Sequence, residues 1–189
     1  MANLTVVYDA CVLYPAPLRD LLMWLALTDL FKPRWTSQIH DEWISNVLQN
    51  RPDLTLEQLT KTRNLMDRNV WDCLVTGFEG LIEGLELPDP GDRHILAAAI
   101  QCHAELIITF NLKDFPCQYL QPYGVEAQHP DEFIMGLIDL YPTAVCAAVA
   151  KHRSTLKKPP KSREQYLDTL LKQGLPKSST ELHEVCDEI

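Results

Sequence analysis

No apolar run in this sequence reaches the roughly 18 residues that a helix needs to cross a bilayer, so no membrane span is expected. The start, MANLTVVYDACVLYP, lacks a basic stretch followed by a long apolar one. No secretory leader is therefore expected, and the cytoplasm is the expected location. None of the six cysteines forms a C-x-x-C pair, and none stands beside a histidine at zinc-finger spacing. Reduced, mostly buried thiols are the expectation. Positive charge is scarce as well: 17 Lys and Arg against 26 Asp and Glu leave a formal net charge of −9. That balance speaks against a chain that holds nucleic acid by overall charge. Internal repeats and low-complexity tracts are also missing.

What basic charge there is concentrates in KHRSTLKKPPKSR, residues 151–163, which holds six Lys and Arg and no acid. Either a phosphate-contacting segment or a solvated linker is compatible with such a run. The 189 residues are 46% hydrophobic, enough for a real core in one domain with a short appendage.

Along the chain, LTVVY (4–8) is a β-rich apolar run that ends at Asp9, and it reads as a buried strand. Dense apolar spacing over 18–30 behind Pro17 reads as a helix. Ser37 is the expected N-cap of a helix to about 49, and Thr55 with Gln58 forms a capping-box pattern for a helix to about 70. A short strand is expected at 73–76, an ambiguous short helix at 77–84 and a turn at 87–92. The Ala-rich segment 92–103 reads as a helix, ELIITF (105–110) as a strand, 124–127 as a last strand and 130–140 as a helix. Beyond residue 141 the expectation is a helix over 142–153, a linker at KKPP, and short helices over 164–172 and 179–188. Strands alternating with helices predict an α/β domain with a parallel sheet, residues 1–141, and a helical extension, residues 142–189. Sites in such sheets form outside the carboxyl ends of the strands.

Four acids fall where such a site would lie. Asp9 follows the first strand. Glu42 lies in a helix whose Ile39 and Trp43 are expected to face inward. Asp92 stands at the start of the Ala-rich helix, and Asp114 follows the ELIITF strand with Asn111 between. Hard divalent cations take carboxylate oxygens, and phosphodiester hydrolysis uses such cations to activate water and stabilise charge. Singly, each acid has a plainer role as a turn residue, an N-cap or a solvated helix carboxylate, and spacing alone does not make them converge.

The strings VVYDACVLYP (6–15), SQIHDEW (37–43), LPDPGDRHILAAAI (87–100) and ITFNLKDFP (108–116) resemble the PIN-domain family in order and interval across about residues 4–140. The resemblance is to its VapC-like toxin branch, some members of which carry a similar helical extension. It implies a Rossmann-like three-layer α/β/α sandwich and Mg²⁺- or Mn²⁺-dependent cleavage of RNA. It also implies a type II toxin with an antitoxin partner, often as a homodimer. By position, Asp9, Glu42, Asp92 and Asp114 match the family's acidic quartet; Asn111 and Thr109 match supporting polar positions. Asp89 is expected to serve the turn. Many members carry D-x-N after the first strand, whereas this chain has Asp9-Ala10-Cys11, so Cys11 is expected to lose that polar contact without acting as a nucleophile. His40 and His94 are expected to pack or hydrogen-bond, with RNA contact as the alternative. A catalytically silent PIN scaffold that binds RNA or protein is the main rival. A DNA-directed nuclease on the same fold is another. A HAD-type phosphatase would need a second Asp where Cys11 stands.

Overall fold

The computed structural model describes residues 4–186. Its centre is a four-stranded, all-parallel sheet of order β2-β1-β3-β4, flanked by helices. The expected α/β class and the helical C-terminal part are therefore both present. Strand β1, Leu4–Tyr8, is central, with Val6, Val7 and Tyr8 fully buried. A continuous apolar run is what an interior parallel strand requires. It pairs with β2, Phe31–Arg34, through Leu4 opposite Phe31, and with β3, Leu106–Ile108, through Tyr8 opposite Ile108. Strand β4, Glu126–Gln128, completes the sheet beside β3.

Strand β2 has no counterpart in the sequence reading, because Pro33 sits inside it. Proline donates no ladder hydrogen bond, and it is tolerated here because β2 is an edge strand. The strand expected at 73–76 reduces to an isolated parallel bridge, in which Trp35 N donates to Cys73 O (3.0 Å) and Val75 N to Trp35 O (2.9 Å).

The chain divides into two compact units. One takes the chain up to Tyr14 together with Phe31–His129; the other takes Pro15–Leu30 together with the chain from Pro130 onward. The first contains the sheet, the single-turn helix α1 (Ala10–Leu13), α3 (Ser37–Asn50), α4 (Leu56–Asn69), α5 (Arg93–Gln101) and α6 (Cys117–Leu120). Helix α3 is capped one residue earlier than expected: Thr36 Oγ1, not Ser37, accepts from Ile39 N at 3.1 Å. Helix α4 starts with the expected capping box of Thr55 and Gln58. Helix α5 packs on β1 and β3, and its small residues Ala97, Ala98 and Ala99 are fully buried. Small side chains let a helix backbone come close to the sheet, which brings the start of α5 near the strand ends.

The second unit is helical: α2 (Ala16–Ala26), α7 (Pro130–Leu140), α8 (Pro142–Thr155), α9 (Arg163–Lys172) and α10 (Pro176–Val185). The sequence reading drew its boundary after residue 141, whereas contacts group α7 and α2 with the C-terminal helices. The last positions of the helix expected over 179–188 lie outside the described residues. Buried Asp131 holds the start of α10: its carboxylate accepts from Lys177 N (3.0 Å), Ser178 N (2.8 Å) and Ser178 Oγ (2.6 Å). An anion on exposed helix N–H groups is favourable there. The expectation of reduced thiols is corrected for one pair. Cys146 on α8 and Cys186, just after α10, form a disulfide with a Cα–Cα distance of 5.5 Å.

Most cations of the basic run have tasks inside this unit. Lys151 Nζ lies 5.7 Å from the Trp24 ring centroid. Arg153 donates to Lys161 O and Lys161 to Thr169 Oγ1. Arg163 donates to the carbonyls of His183 and Cys186 at the end of α10. Lys157 and Lys158 are exposed.

Candidate active site

Adjacent strands β1 and β3 send their connections to opposite sides of the sheet, β1 to β2 and β3 to β4. The strand order therefore reverses between them, and a crevice at their carboxyl ends is where such sheets place ligands. Asp9 and Thr109 are the first residues past those ends. Asp9 N donates to Ile108 O at 3.1 Å, extending the ladder by one residue. Asp9 then turns the chain into α1 as its N-cap and is only 5% exposed. Thr109 Oγ1 donates to Asp9 Oδ2 at 2.6 Å and itself accepts from Asn111 N at 2.9 Å. Two expected supporting residues thus belong to one hydrogen-bonded chain that ends on Asp9. Asn111 enters it through its backbone.

Asp92 ends a single 3-10 turn, Pro90–Asp92, immediately before α5. Its carboxyl is pushed up to about 6, first by burial and then by the charges of Asp9, Asp89 and Asp114; His94 opposes the shift. Charges shift a neighbour's ionisation in this way only at short range. Asp9, Asp92 and Asp114 therefore share one electrostatic field, although they lie far apart in sequence. Asp114 closes the turn Leu112–Asp114, with its N–H on Asn111 O at 2.9 Å. Asp89 Oδ1 accepts from Gly91 N at 2.8 Å, the turn role expected of it, and its charge also reaches Asp92. Glu42 joins from α3: His94 Nε2 lies 2.9 Å from Glu42 Oε1, and Gln38 Nε2 approaches the same oxygen at 3.4 Å. His94 is the physical link between Glu42 and the field around Asp92.

Among the described residues, no three His, Cys, Asp or Glu side chains form a ready-made ligand shell. The donor chemistry nevertheless fits a hard divalent cation. Its groups are carboxylates, and their mutual repulsion is of the kind that a cation relieves.

The family described as the VapC50 C-terminal domain matches residues 130–184. A curated protein of Mycobacterium tuberculosis, named "Putative ribonuclease VapC50", is 43% identical over 82 residues. That match covers 43% of this chain and 48% of the relative, so the chain spans about half the length of the curated protein it matches. Over these stretches the chain is similar to VapC-type proteins. No solved structure matches it.

At this site Cys11 departs from the sequence reading, whereas His40 and His94 follow it. Cys11 loses no polar contact: its Sγ lies 3.0 Å from Asp9 Oδ2 and receives Phe110 N at 3.3 Å. Burial, then the Asp9 charge, push its thiol up to about 12, so it stays protonated and is no nucleophile. His40 is fully buried and makes no RNA-facing surface. Its Nδ1 accepts from Trp43 Nε1 and its Nε2 faces Asp67 Oδ1, both at 2.9 Å. Both His40 and His94 pack and hydrogen-bond. The pairing of His94 with Glu42 has no local signal in sequence, since it depends on how α3 and α5 approach each other.

Proposed function

We propose that the protein is a Mg²⁺- or Mn²⁺-dependent endoribonuclease, the toxin of a type II toxin–antitoxin pair. Its substrate is single-stranded or structured RNA. Its partner is a small antitoxin protein, with pairing as a homodimer and action in the cytoplasm. The nuclease work belongs to residues 1–141, and the helical extension 142–189 is an accessory. Among the described residues no helix is long and apolar enough to cross a membrane.

One observation carries the reading: the Asp92 carboxyl feels Asp9, Asp89 and Asp114 at once, at the switch point of a parallel sheet. Asp9, Asp92 and Asp114 are the residues to hold a divalent cation, and Glu42, tied to His94, is the fourth. A cation held there supplies Lewis-acid stabilisation of phosphate and an acidified water. The protein's own contribution is orientation. Thr109 fixes the Asp9 carboxylate against β3, and His94 fixes Glu42 towards the same field. The clustered acids also keep an RNA backbone at a distance until their charge is neutralised. The similarity to a VapC50 relative supports the same reading.

The test is Asp9→Asn, purified free of host nuclease. RNA cleavage in the presence of Mn²⁺ is expected to vanish while the circular dichroism spectrum is unchanged. Full activity of that variant would remove the proposal. A wild-type protein whose melting temperature ignores Mn²⁺, yet which still binds RNA or protein, is instead a catalytically silent scaffold.

A further inference from the structure

We propose that Cys11 is a positioning residue: its thiol and the Thr109 hydroxyl together clamp Asp9 Oδ2 to the end of β3, leaving Oδ1 to face a cation. This rests on the nuclease reading for the cation, but the clamp itself is a property of the bare protein.

Donor counting assigns the hydrogens. Phe110 N–H and Asn111 N–H can only donate. The first points at Cys11 Sγ (3.3 Å) and the second at Thr109 Oγ1 (2.9 Å). An ionised carboxylate can only accept. The thiol hydrogen and the hydroxyl hydrogen are therefore both directed at Asp9 Oδ2, over 3.0 and 2.6 Å. Two parallel relays result. One runs from Asn111 N through Thr109 to Oδ2, the other from Phe110 N through Cys11 to the same oxygen. The 3.4 Å approach of Cys11 Sγ to Thr109 Oγ1 is then a packing contact, because each group has spent its only hydrogen on Asp9. Among the described residues, Oδ1 receives only Cys11 N at 3.4 Å, long for an N–H···O bond. The carboxylate is thus saturated on one oxygen and nearly bare on the other, which is the state of a metal ligand held by outer partners.

A thiol that merely filled space would lie among apolar groups. The thiol of Cys11 instead joins Asp9 to Thr109 and to the backbone N–H of Phe110, just past β3. Sulfur suits the position geometrically: its longer bonds let one atom reach a carboxylate on its own turn and an amide across the strand gap.

Two measurements test the clamp. In the metal-free protein, the S–H Raman stretch of Cys11, assigned by difference from Cys11→Ala, should lie below that of a free thiol and move up in Asp9→Ala. A free-thiol frequency in the wild type overturns the clamp, and this arm does not depend on any variant folding well enough to act. By titration calorimetry, Cys11→Ala should bind Mn²⁺ about 10-fold more weakly than wild type. Cys11→Ser, which keeps a donor, should recover most of that loss. Wild-type affinity in a folded Cys11→Ala protein overturns the positioning role. If the wild type binds no Mn²⁺ at all, the nuclease reading and the role of Oδ1 both fail; a displaced S–H stretch then shows that the clamp survives.

Discussion

Asp92 gathers the electrostatic cost of the site into one residue. Its folded ionisation lies at about 6, against an ordinary carboxylate value of 3.8. Between those two values the folded chain holds more protons than the unfolded one, so stability falls as pH rises from about 4 to about 6. Above that window the full penalty is present; below it the penalty disappears. Asp92→Asn removes the ionisation, so in metal-free buffer at pH 7.5 the variant should melt above the wild type. Partial exposure screens the effect to on the order of 1 kcal/mol, or about 2–4 °C. The two curves should converge near pH 3.5. Equal melting at pH 7.5 would mean that Asp92 is not crowded by Asp9 and Asp114. The convergence of these acids was only half legible in sequence. Asp9 and the segment from Asn111 to Asp114 could be placed because both follow strands of a parallel sheet, whose carboxyl ends lie together; Thr109, read inside the second strand, came from the family resemblance alone. The join between Glu42 and His94 could not be placed, because it depends on packing between helices that share no local pattern.

Helices α3 and α4 set the direction in which Glu42 points, and a buried polar network locks them. Asp67 Oδ1 on α4 receives Trp35 Nε1 at 2.8 Å and faces His40 Nε2 at 2.9 Å. Trp43 Nε1, a donor only, lies 2.9 Å from His40 Nδ1, so the ring carries its hydrogen on Nε2 and gives it to Asp67. Burial, the largest influence, pulls the His40 ionisation down, in keeping with a neutral ring. Asp67→Ala would leave a histidine N–H and an indole N–H without their acceptor. Each buried orphan costs about 1–3 kcal/mol, so a loss of about 2–4 kcal/mol is expected in urea unfolding. A loss below about 0.5 kcal/mol would show that the network is incidental. At this scale sequence reading succeeded where signals are local. The capping box at Thr55 works because both partners lie within one turn, and β1 works because an interior parallel strand is uniformly apolar. It failed at β2, where Pro33 looks like a breaker until the strand is known to be an edge, and at 73–76, where only one bridge forms. Ser37 looked like the cap of α3, but the extended backbone needed at an N-cap falls on Thr36.

Across the whole molecule, charge and covalent structure are unevenly shared. The acids proposed to hold a cation lie in the sheet-bearing unit, whereas the basic run lies in the helical unit and is largely spent on internal contacts. A net charge of −9 is therefore a poor guide to whether the chain meets RNA. The disulfide was also hidden. Six cysteines with no close pair carry no pairing information, and an argument from the expected compartment favoured thiols. Cys146 and Cys186 are 40 residues apart, and closing a loop of that length stabilises the folded state by about 4 kcal/mol on a chain-entropy estimate. The bond ties α8 to the end of α10, while Arg163 holds the same end through the Cys186 carbonyl and Asp131 holds the other. In oxidised protein, titration of thiols under denaturing, non-reducing conditions should count four, those of Cys11, Cys73, Cys102 and Cys117. Reductant, or the double variant Cys146→Ser with Cys186→Ser, should lower the melting temperature. The core contacts of α10 through Leu175 and Leu182 should keep that helix folded, so far-ultraviolet circular dichroism below the transition should hardly change. Six titratable thiols in protein purified without reductant, together with melting that ignores reductant, would mean that packing alone joins these helices.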